Sequence, residues 1–541
     1  MKTKFPLLAI SAAVIAFGVL PGSAQSTNPA AKARQLKQSA YIKASNPGMG
    51  DHFGDGGTFV GHTGNALALS ADGTTMAVGA PHESSAAKGV NGSPKGDSVY
   101  DSGAVYVYTQ RAGAWVQQAY IKASHPGASD HLGDTIALSA DGNTMAVAAH
   151  WQSSASPGIN GNEADNSLPQ AGAVYVFTRK GNAWSQQAFV KASNPGRAPL
   201  PGVEEDFGDG DQFGYSLALS GDGNTLAVGA ISEDSAAAGI NNNAFQKNDS
   251  LGNSGAAYVF VRSGNTWSQQ AYVKAANSGA NDLFGYSMGL SADGNTLAVA
   301  AYDEGGSPRF INGIPDNLRG GAGVIYVFRR SSMDWRQTDY LKGSRSEGGD
   351  SLGYSMAISE DGNTILGGAA DEDCMTPGIN PPGCDNDRQS DTSSGAVYVF
   401  VFDGNRWTEQ AFIKSSNPGE KDWFGVRSAI SGDGNTIVVG APNEDGGSRG
   451  INGNQKDDAN AESGAAYVFT RSGGNWTQQA YVKSSNSRAY DLFGSSVAIN
   501  RDGSLIAVGA PGEDSGAKGV NGNQNDTSLS ESGAVYVFSN N

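Results

Sequence analysis

Apolar and polar positions alternate along this chain in short runs, and the runs come in pairs. Residues 213–230, FGYSLALSGDGNTLAVGA, read as two strands about a tight polar turn at Gly221-Asp222-Gly223-Asn224. Period-two alternation flanking a Gly/Asn/Asp turn is the signature of a β-hairpin. The same hairpin recurs with its Asp-Gly turn at Asp72, Asp141, Asp293, Asp361, Asp433 and Asp502, roughly seventy residues apart. A long polar stretch follows each hairpin and ends in a run such as GAVYVF or GAAYVF. That run is apolar on both faces, as a strand covered on both sides must be. A short turn then leads to a strand ending in AYIKA, AFVKA, AYVKA, DYLKG, AFIKS or AYVKS. Each of these is introduced by a tryptophan: Trp115, Trp184, Trp267, Trp335, Trp407 or Trp476.

One unit therefore predicts four antiparallel strands. In the copy from Phe213 to Ala275 they are Tyr215–Ser220, Thr225–Ala230, Ala256–Arg262 and Trp267–Ala275. Seven such units predict an all-β fold, a seven-bladed β-propeller of four-stranded antiparallel blades. The ends of the chain agree with a closed ring. The last apolar run, Ala534–Phe538, has no fourth strand after it, and the first repeat element, Tyr41–Ala44, is a fourth strand with no hairpin before it. Pairing the N-terminal strand with the C-terminal one would complete blade seven and remove the exposed edges of an open sheet. The propeller is expected over residues 40–541, preceded by a linker at 25–39.

Residues 1–24 carry the features of a secretory signal. Lys2 and Lys4 precede an apolar core from Phe5 to Leu20, and Gly22-Ser23-Ala24 forms a small-residue cleavage site. The expectation is a secreted or periplasmic protein without membrane insertion. Cys374 and Cys384 are the only cysteines and share one Pro- and Gly-rich loop, which in an oxidising compartment predicts a local disulfide. A metal pair is the alternative, with no His or further Cys close by. The 53 acidic residues outnumber the 36 basic ones. Nucleic acid, which demands clustered Lys and Arg, is thereby disfavoured as a partner.

The Phe213-Gly214 and Val228-Gly229-Ala230 elements resemble FG-GAP repeats, the units of the integrin α-chain propeller. Val78-Gly79-Ala80-Pro81, Val439-Gly440-Ala441-Pro442 and Val508-Gly509-Ala510-Pro511 match still better. The likeness spans the expected mature chain and is greatest to bacterial secreted FG-GAP proteins. It implies a seven-bladed propeller and extracellular binding or adhesion. Integrin blades that hold Ca²⁺ carry an acid-rich loop between their first two strands. Here that loop offers a single carboxylate, as in Ala71-Asp72-Gly73-Thr74, whereas Ca²⁺ takes six to eight oxygens.

Alternation along the strands puts the tight turns on one face and the long loops, with the blade connections, on the other. The long-loop face is the candidate binding surface. Each connection carries an Asp ahead of Phe-Gly or Leu-Gly: Asp51, Asp130, Asp211, Asp282, Asp350, Asp422 and Asp491. These acids either close their own turns or form a ring of carboxylates about the central channel. The long loops repeat an acidic pattern, clearest at Glu233, Asp234 and Asp249, at Glu444, Asp445 and Asp457, and at Glu513, Asp514 and Asp526. Hard oxygen donors of this kind make Ca²⁺ a candidate cofactor, although Gln152-Ser153 replaces the acids in the second unit.

All six histidines fall in the first two units: His52, His62, His82, His125, His131 and His150. His52 and His131 share one repeat position, and His82 and His150 nearly share another. Imidazoles gathered on adjacent blades are a candidate transition-metal site at His52, His82, His131 and His150. Trp151 and Trp423 fall outside the repeat and are candidate ligand-face aromatics. No P-loop or His-Glu-x-x-His motif is present. The sequence thus points to a monomeric, non-enzymatic binding propeller that presents acidic loops to an extracellular protein or a cell-surface glycan. A carbohydrate-active enzyme using carboxylates near the channel mouth, or a structural envelope component, are the alternatives.

Overall fold

A computed structural model describes residues 35–57, 64–196, 210–241, 246–316, 318, 320–384 and 392–540, together with Met1. The predicted signal sequence, apart from Met1, and most of the predicted linker lie outside these residues. The described chain forms seven four-stranded antiparallel sheets, each ordered first to fourth strand from one edge. Blade three is representative, with strands Phe213–Leu219, Thr225–Ala230, Ala256–Ser263 and Thr266–Val273. First strands of successive blades touch one another around the whole ring, so they line the axis. They enclose a cavity of ≈ 130 Å³, bordered by Asn65, Thr135, Ser216, Ser287, Ser355 and Arg427 among others. The apolar first five residues of each third strand are buried in the middle of the blade, and its polar end emerges toward solvent.

The ring closes as the two chain ends predict. Leu36–Ile42 pairs antiparallel with Ala534–Asn540, placing Tyr41 opposite Tyr536 and Ile42 opposite Val535. This strand begins at Leu36, so the linker expected through residue 39 ends earlier: Leu36–Ser39 continue the ladder along the tail. Closure is repeated on the tight-turn face by a circle of backbone hydrogen bonds. The N–H of Ala71 donates to the Ala140 carbonyl, Ala140 to Gly221, Gly221 to Ala292, and Ala292 to Glu360. Glu360 then donates to Gly432, Gly432 to Arg501, and Arg501 back to Ala71, at 2.9–3.1 Å.

Two further devices lock blade to blade. The Gly of Val-Gly-Ala lies against the Phe-Gly turn of the next blade: a Cβ on Gly229 would sit 2.2 Å from the Gly285 carbonyl oxygen. The two halves of the repeat motif therefore meet across the blade boundary, where no side chain fits. In each fourth strand one residue bulges out of register, which re-aims its side chain. The bulged Gln187 accepts from the Trp267 indole N–H at 2.9 Å and from Arg262 at 3.2 Å in the following blade. Gln118, Gln270 and Gln410 do the same for Trp184, Trp335 and Trp476. Trp184, Trp267, Trp335 and Trp476 are thus buried pegs between neighbouring blades.

Candidate functional site

The long loops hold a network that recurs in six of the seven blades. Each fourth strand ends in a lysine that is buried, and the loop glutamate swings in to meet it. In blade three, Lys274 Nζ donates to Glu233 Oε2 and to Ser254 Oγ, both at 2.7 Å, and the Tyr272 hydroxyl donates to Glu233 Oε1 at 2.8 Å. The equivalent pairs are Lys43–Glu513, Lys122–Glu83, Lys342–Glu304, Lys414–Glu372 and Lys483–Glu444, at 2.6–3.1 Å. Burial lowers the pKa of each of these lysines, opposed by the adjoining glutamate. Among the predicted calcium donors, Glu233, Glu444 and Glu513 are therefore anchors of the blade interior. Asp234, Asp445 and Asp514 accept backbone N–H bonds from Asn253, Glu462 and Glu531, and Asp526 accepts from Ser528 N–H. Asp249 lines an acidic pocket with Asp211, Glu233 and Asp234. The Asp457 carbonyl accepts from Gly447 N–H.

Blade two departs from the pattern. Gln152 replaces the glutamate, and Lys191 Nζ donates to the Gly172 carbonyl with Gln152 Oε1 at 3.5 Å. Burial lowers the Lys191 ammonium to about 7, against the opposing charges of Asp211, Asp130 and Asp165. A folded-state pKa below the unfolded value means that Lys191 weakens the fold most below about pH 7. That cost is relieved as pH rises toward the ordinary lysine value. Gln152→Glu should therefore raise the thermal midpoint at pH 7, with a smaller gain at pH 10. A lower midpoint at pH 7 would contradict this account of the blade.

The connection aspartates close their own turns. Oδ2 of Asp51, Asp130, Asp282, Asp350, Asp422 and Asp491 accepts the N–H three residues earlier at 2.6–2.9 Å. Burial pushes the Asp422 carboxyl up to about 7, the Gly419 N–H bond opposes the rise, and Glu444, Asp445 and Asp458 add to it. The hairpin aspartates are likewise committed: Asp222 Oδ1 accepts from Ser220 Oγ at 2.6 Å and from Asn224 N–H at 2.9 Å. An integrin-type calcium loop does not fit these turns.

Asymmetry enters at the long-loop end of the channel. The residue before Phe-Gly or Leu-Gly is held in the left-handed region in every blade, at φ 52 for His52, 54 for His131 and 55 for Trp423. This conformation is costly for residues other than Gly and is often kept where a side chain must be aimed. In blades one and two the aimed side chains are imidazoles. His52 and His82 have ring centroids 4.7 Å apart, His82 and His131 5.0 Å, and His131 and His150 6.1 Å. Carboxylates alternate with them. His82 Nδ1 lies 3.2 Å from Asp101 Oδ2, His131 Nε2 lies 3.8 Å from the same oxygen, and His150 Nδ1 lies 2.7 Å from Asp134 Oδ2. Three overlapping groups result: His52–Asp55–His82, His82–Asp101–His131 and His131–Asp134–His150. In each, one ligand atom per residue lies within 4.8 Å of the others. Trp151 packs on His131 at 4.5 Å. Burial disfavours the His131 imidazolium, but Asp101, Asp134 and Asp130 outweigh it and raise the pKa. At His52 burial prevails over Asp55 and Glu531 and lowers it.

The row passes into a group of tyrosines. His150 meets Tyr215 at 6.0 Å, and Tyr215, Tyr286, Tyr302 and Tyr354 follow in tilted and edge-to-face contacts through blades three to five. The buried Arg427 donates to the carbonyls of Gly56 and Val426.

The family model for the FG-GAP repeat matches residues 407–469 and 476–538, two spans that each run from a repeat tryptophan to the next third strand. Blades five to seven of this β-propeller thus carry FG-GAP repeats. Solved structures with a similar fold include a putative 6-phosphogluconolactonase from Bacteroides uniformis, at 10% identity, with 77% of this chain and 85% of that one covered and a TM-score of 0.43. Another is the periplasmic gluconolactonase of Pseudomonas aeruginosa, at 15% identity, 79% and 87% coverage and a TM-score of 0.41. Neither bears on function. No curated protein matches in sequence.

In this propeller, His52, His82, His131 and His150 are brought together. His125 stands apart beside Glu163, and His62 lies outside the described residues. Trp151 joins the row, whereas Trp423 belongs to the connection into blade six. Cys374 and Cys384 form the predicted disulfide, with Cα atoms 5.4 Å apart. Gly285-Tyr286-Ser287-Met288-Gly289 spells the hydrolase Gly-x-Ser-x-Gly pattern. It lies within a strand, and Ser287 Oγ donates to the Gly353 carbonyl at 2.6 Å, so it is not a nucleophile elbow. Among the described residues no helix is long and apolar enough to cross a membrane.

Sequence reasoning missed Asp55, Asp101 and Asp134, and the seven buried lysines. Asp55 and Asp134 could have been found: they fill the slot after Gly54 and Gly133 that Tyr215, Tyr286 and Tyr354 occupy elsewhere. Asp101 precedes a Ser-Gly pair where other blades vary freely, and carries no such signal.

Proposed function

We propose that this propeller is an exported binding protein whose working site is a transition-metal centre in the histidine and aspartate row of blades one and two. The observation that carries the reading is the set of three groups, each with two imidazoles and one carboxylate within 4.8 Å. Imidazole with carboxylate suits Zn²⁺ and its first-row neighbours, and Ca²⁺ is poorly served by nitrogen donors. Export is supported by the disulfide. The metal would help hold a protein or glycan ligand against the long-loop face, with Trp151 and the tyrosine group beside it. An enzyme using two carboxylates as acid and base is less well supported, since Asp55, Asp101 and Asp134 each sit among imidazoles.

Calorimetric titration of the metal-free protein with Zn²⁺ tests the reading. Wild type should bind, and His131→Ala, which belongs to two of the three groups, should lose affinity. The loss should be at least the roughly 10–100-fold seen when outer-shell partners are removed. Absent Zn²⁺ binding, or binding that His131→Ala leaves unchanged, sinks it.

A further inference from the structure

We infer that the row holds two metal ions, one in His52–Asp55–His82 and one in His131–Asp134–His150, with Asp101 as a shared outer acceptor for both. This rests on the metal-binding reading above and adds its stoichiometry and wiring. The three groups cannot all be filled at once, because the middle one borrows His82 from the first and His131 from the third. The first and third have no residue in common, so two ions is the natural full occupancy.

The ring nitrogens divide in the same way. A metal-bound histidine characteristically donates its other N–H to a carboxylate, which fixes the tautomer and orients the ring. His82 turns Nδ1 to Asp101 at 3.2 Å and His131 turns Nε2 to the same Oδ2 at 3.8 Å. That leaves His82 Nε2 for the first group and His131 Nδ1 for the third. Both of these nitrogens are shielded from solvent with no hydrogen-bond partner among the described residues; His131 Nδ1 faces Asp134 Oδ2, its companion in the third group, at 3.9 Å. At the outer end of the row, His52 turns Nε2 toward Glu531 at 3.3 Å, the same arrangement with a second carboxylate. Tetrahedral Zn²⁺ with bonds of about 2.0–2.1 Å spaces its ligand atoms roughly 3.4 Å apart. In the third group His131 Nδ1 stands 3.9 Å and His150 Nδ1 2.7 Å from Asp134 Oδ2, on either side of that spacing.

The test is Zn²⁺ stoichiometry by calorimetry and native mass spectrometry on the full chain, with folding of each variant checked by circular dichroism. Wild type should take two equivalents, and His52→Ala and His150→Ala should each keep one. Asp101→Asn should still take two, each bound about 10–100-fold more weakly. Cu²⁺-loaded wild type, which needs no variant, should show the dipolar coupling of two neighbouring ions by electron paramagnetic resonance. One equivalent in wild type with no coupling overturns this inference and leaves the metal-binding reading standing. No binding of either ion removes both. Loss of all Zn²⁺ from folded His52→Ala and folded His150→Ala alike would also overturn it, since that outcome marks a single shared site.

Discussion

A chain shortened to begin at Ala44 should no longer fold and should aggregate. The missing strand carries Tyr41 and Ile42, both fully buried, and each such side chain contributes about 1.5–3 kcal/mol. Its loss also exposes the Ala534–Asn540 edge along the ladder from Asn540 to Val535, a template for aggregation. Lys43 leaves with it, and Glu513, fully buried and 2.8 Å from Lys43 Nζ, loses its counter-charge. Stranding a buried charge costs about 3–5 kcal/mol. Together these losses rival the whole net stability of about 5–15 kcal/mol expected of a folded domain. Size-exclusion chromatography with near-ultraviolet circular dichroism should find aggregate. A shortened chain that elutes like the intact protein and melts within a few degrees of it would contradict the closure.

Glu444→Ala should destabilise the propeller by about 3–5 kcal/mol, far more than a surface acid would. Glu444 Oε2 accepts from Lys483 Nζ at 2.7 Å and from Gly446 N–H at 3.0 Å. Its Oε1 accepts from the Tyr481 hydroxyl at 2.7 Å and from Asn417 at 3.0 Å. Alanine removes all four bonds and leaves a buried ammonium. Glu444→Gln, the arrangement blade two already has at Gln152, should cost less. Chemical denaturation checks both, and a loss below about 1 kcal/mol for Glu444→Ala would return this glutamate to the status of a loop acid.

What could be read from the sequence divides along a physical line. Strand alternation, the Asp-Gly turns and the orphan strands at the two ends are local signals, so blade number, strand order and ring closure were all legible. The Lys–Glu network was not. Lys274 and Glu233 are 41 residues apart, and an acid in a polar loop looks like a solvent-exposed donor until the loop is folded back. The clue was their recurrence in step, broken at Gln152. The histidine row was half legible: repeat position aligned His52 with His131 and Asp55 with Asp134, but Asp101, which lies between His82 and His131, comes from a loop slot that carries no signal. The bulged glutamines show the same limit. Nothing in the alternation of the fourth strands marks Gln118, Gln187, Gln270 and Gln410, and only the register shift explains why each faces a tryptophan of the next blade.

The most direct test of the metal centre is anomalous scattering from a crystal of the wild-type protein soaked in Zn²⁺, recorded on either side of the zinc absorption edge. The account predicts edge-dependent peaks among His52, Asp55 and His82 and among His131, Asp134 and His150. A map in which the edge-dependent density falls elsewhere, with these side chains hydrogen-bonded only to one another, would contradict it.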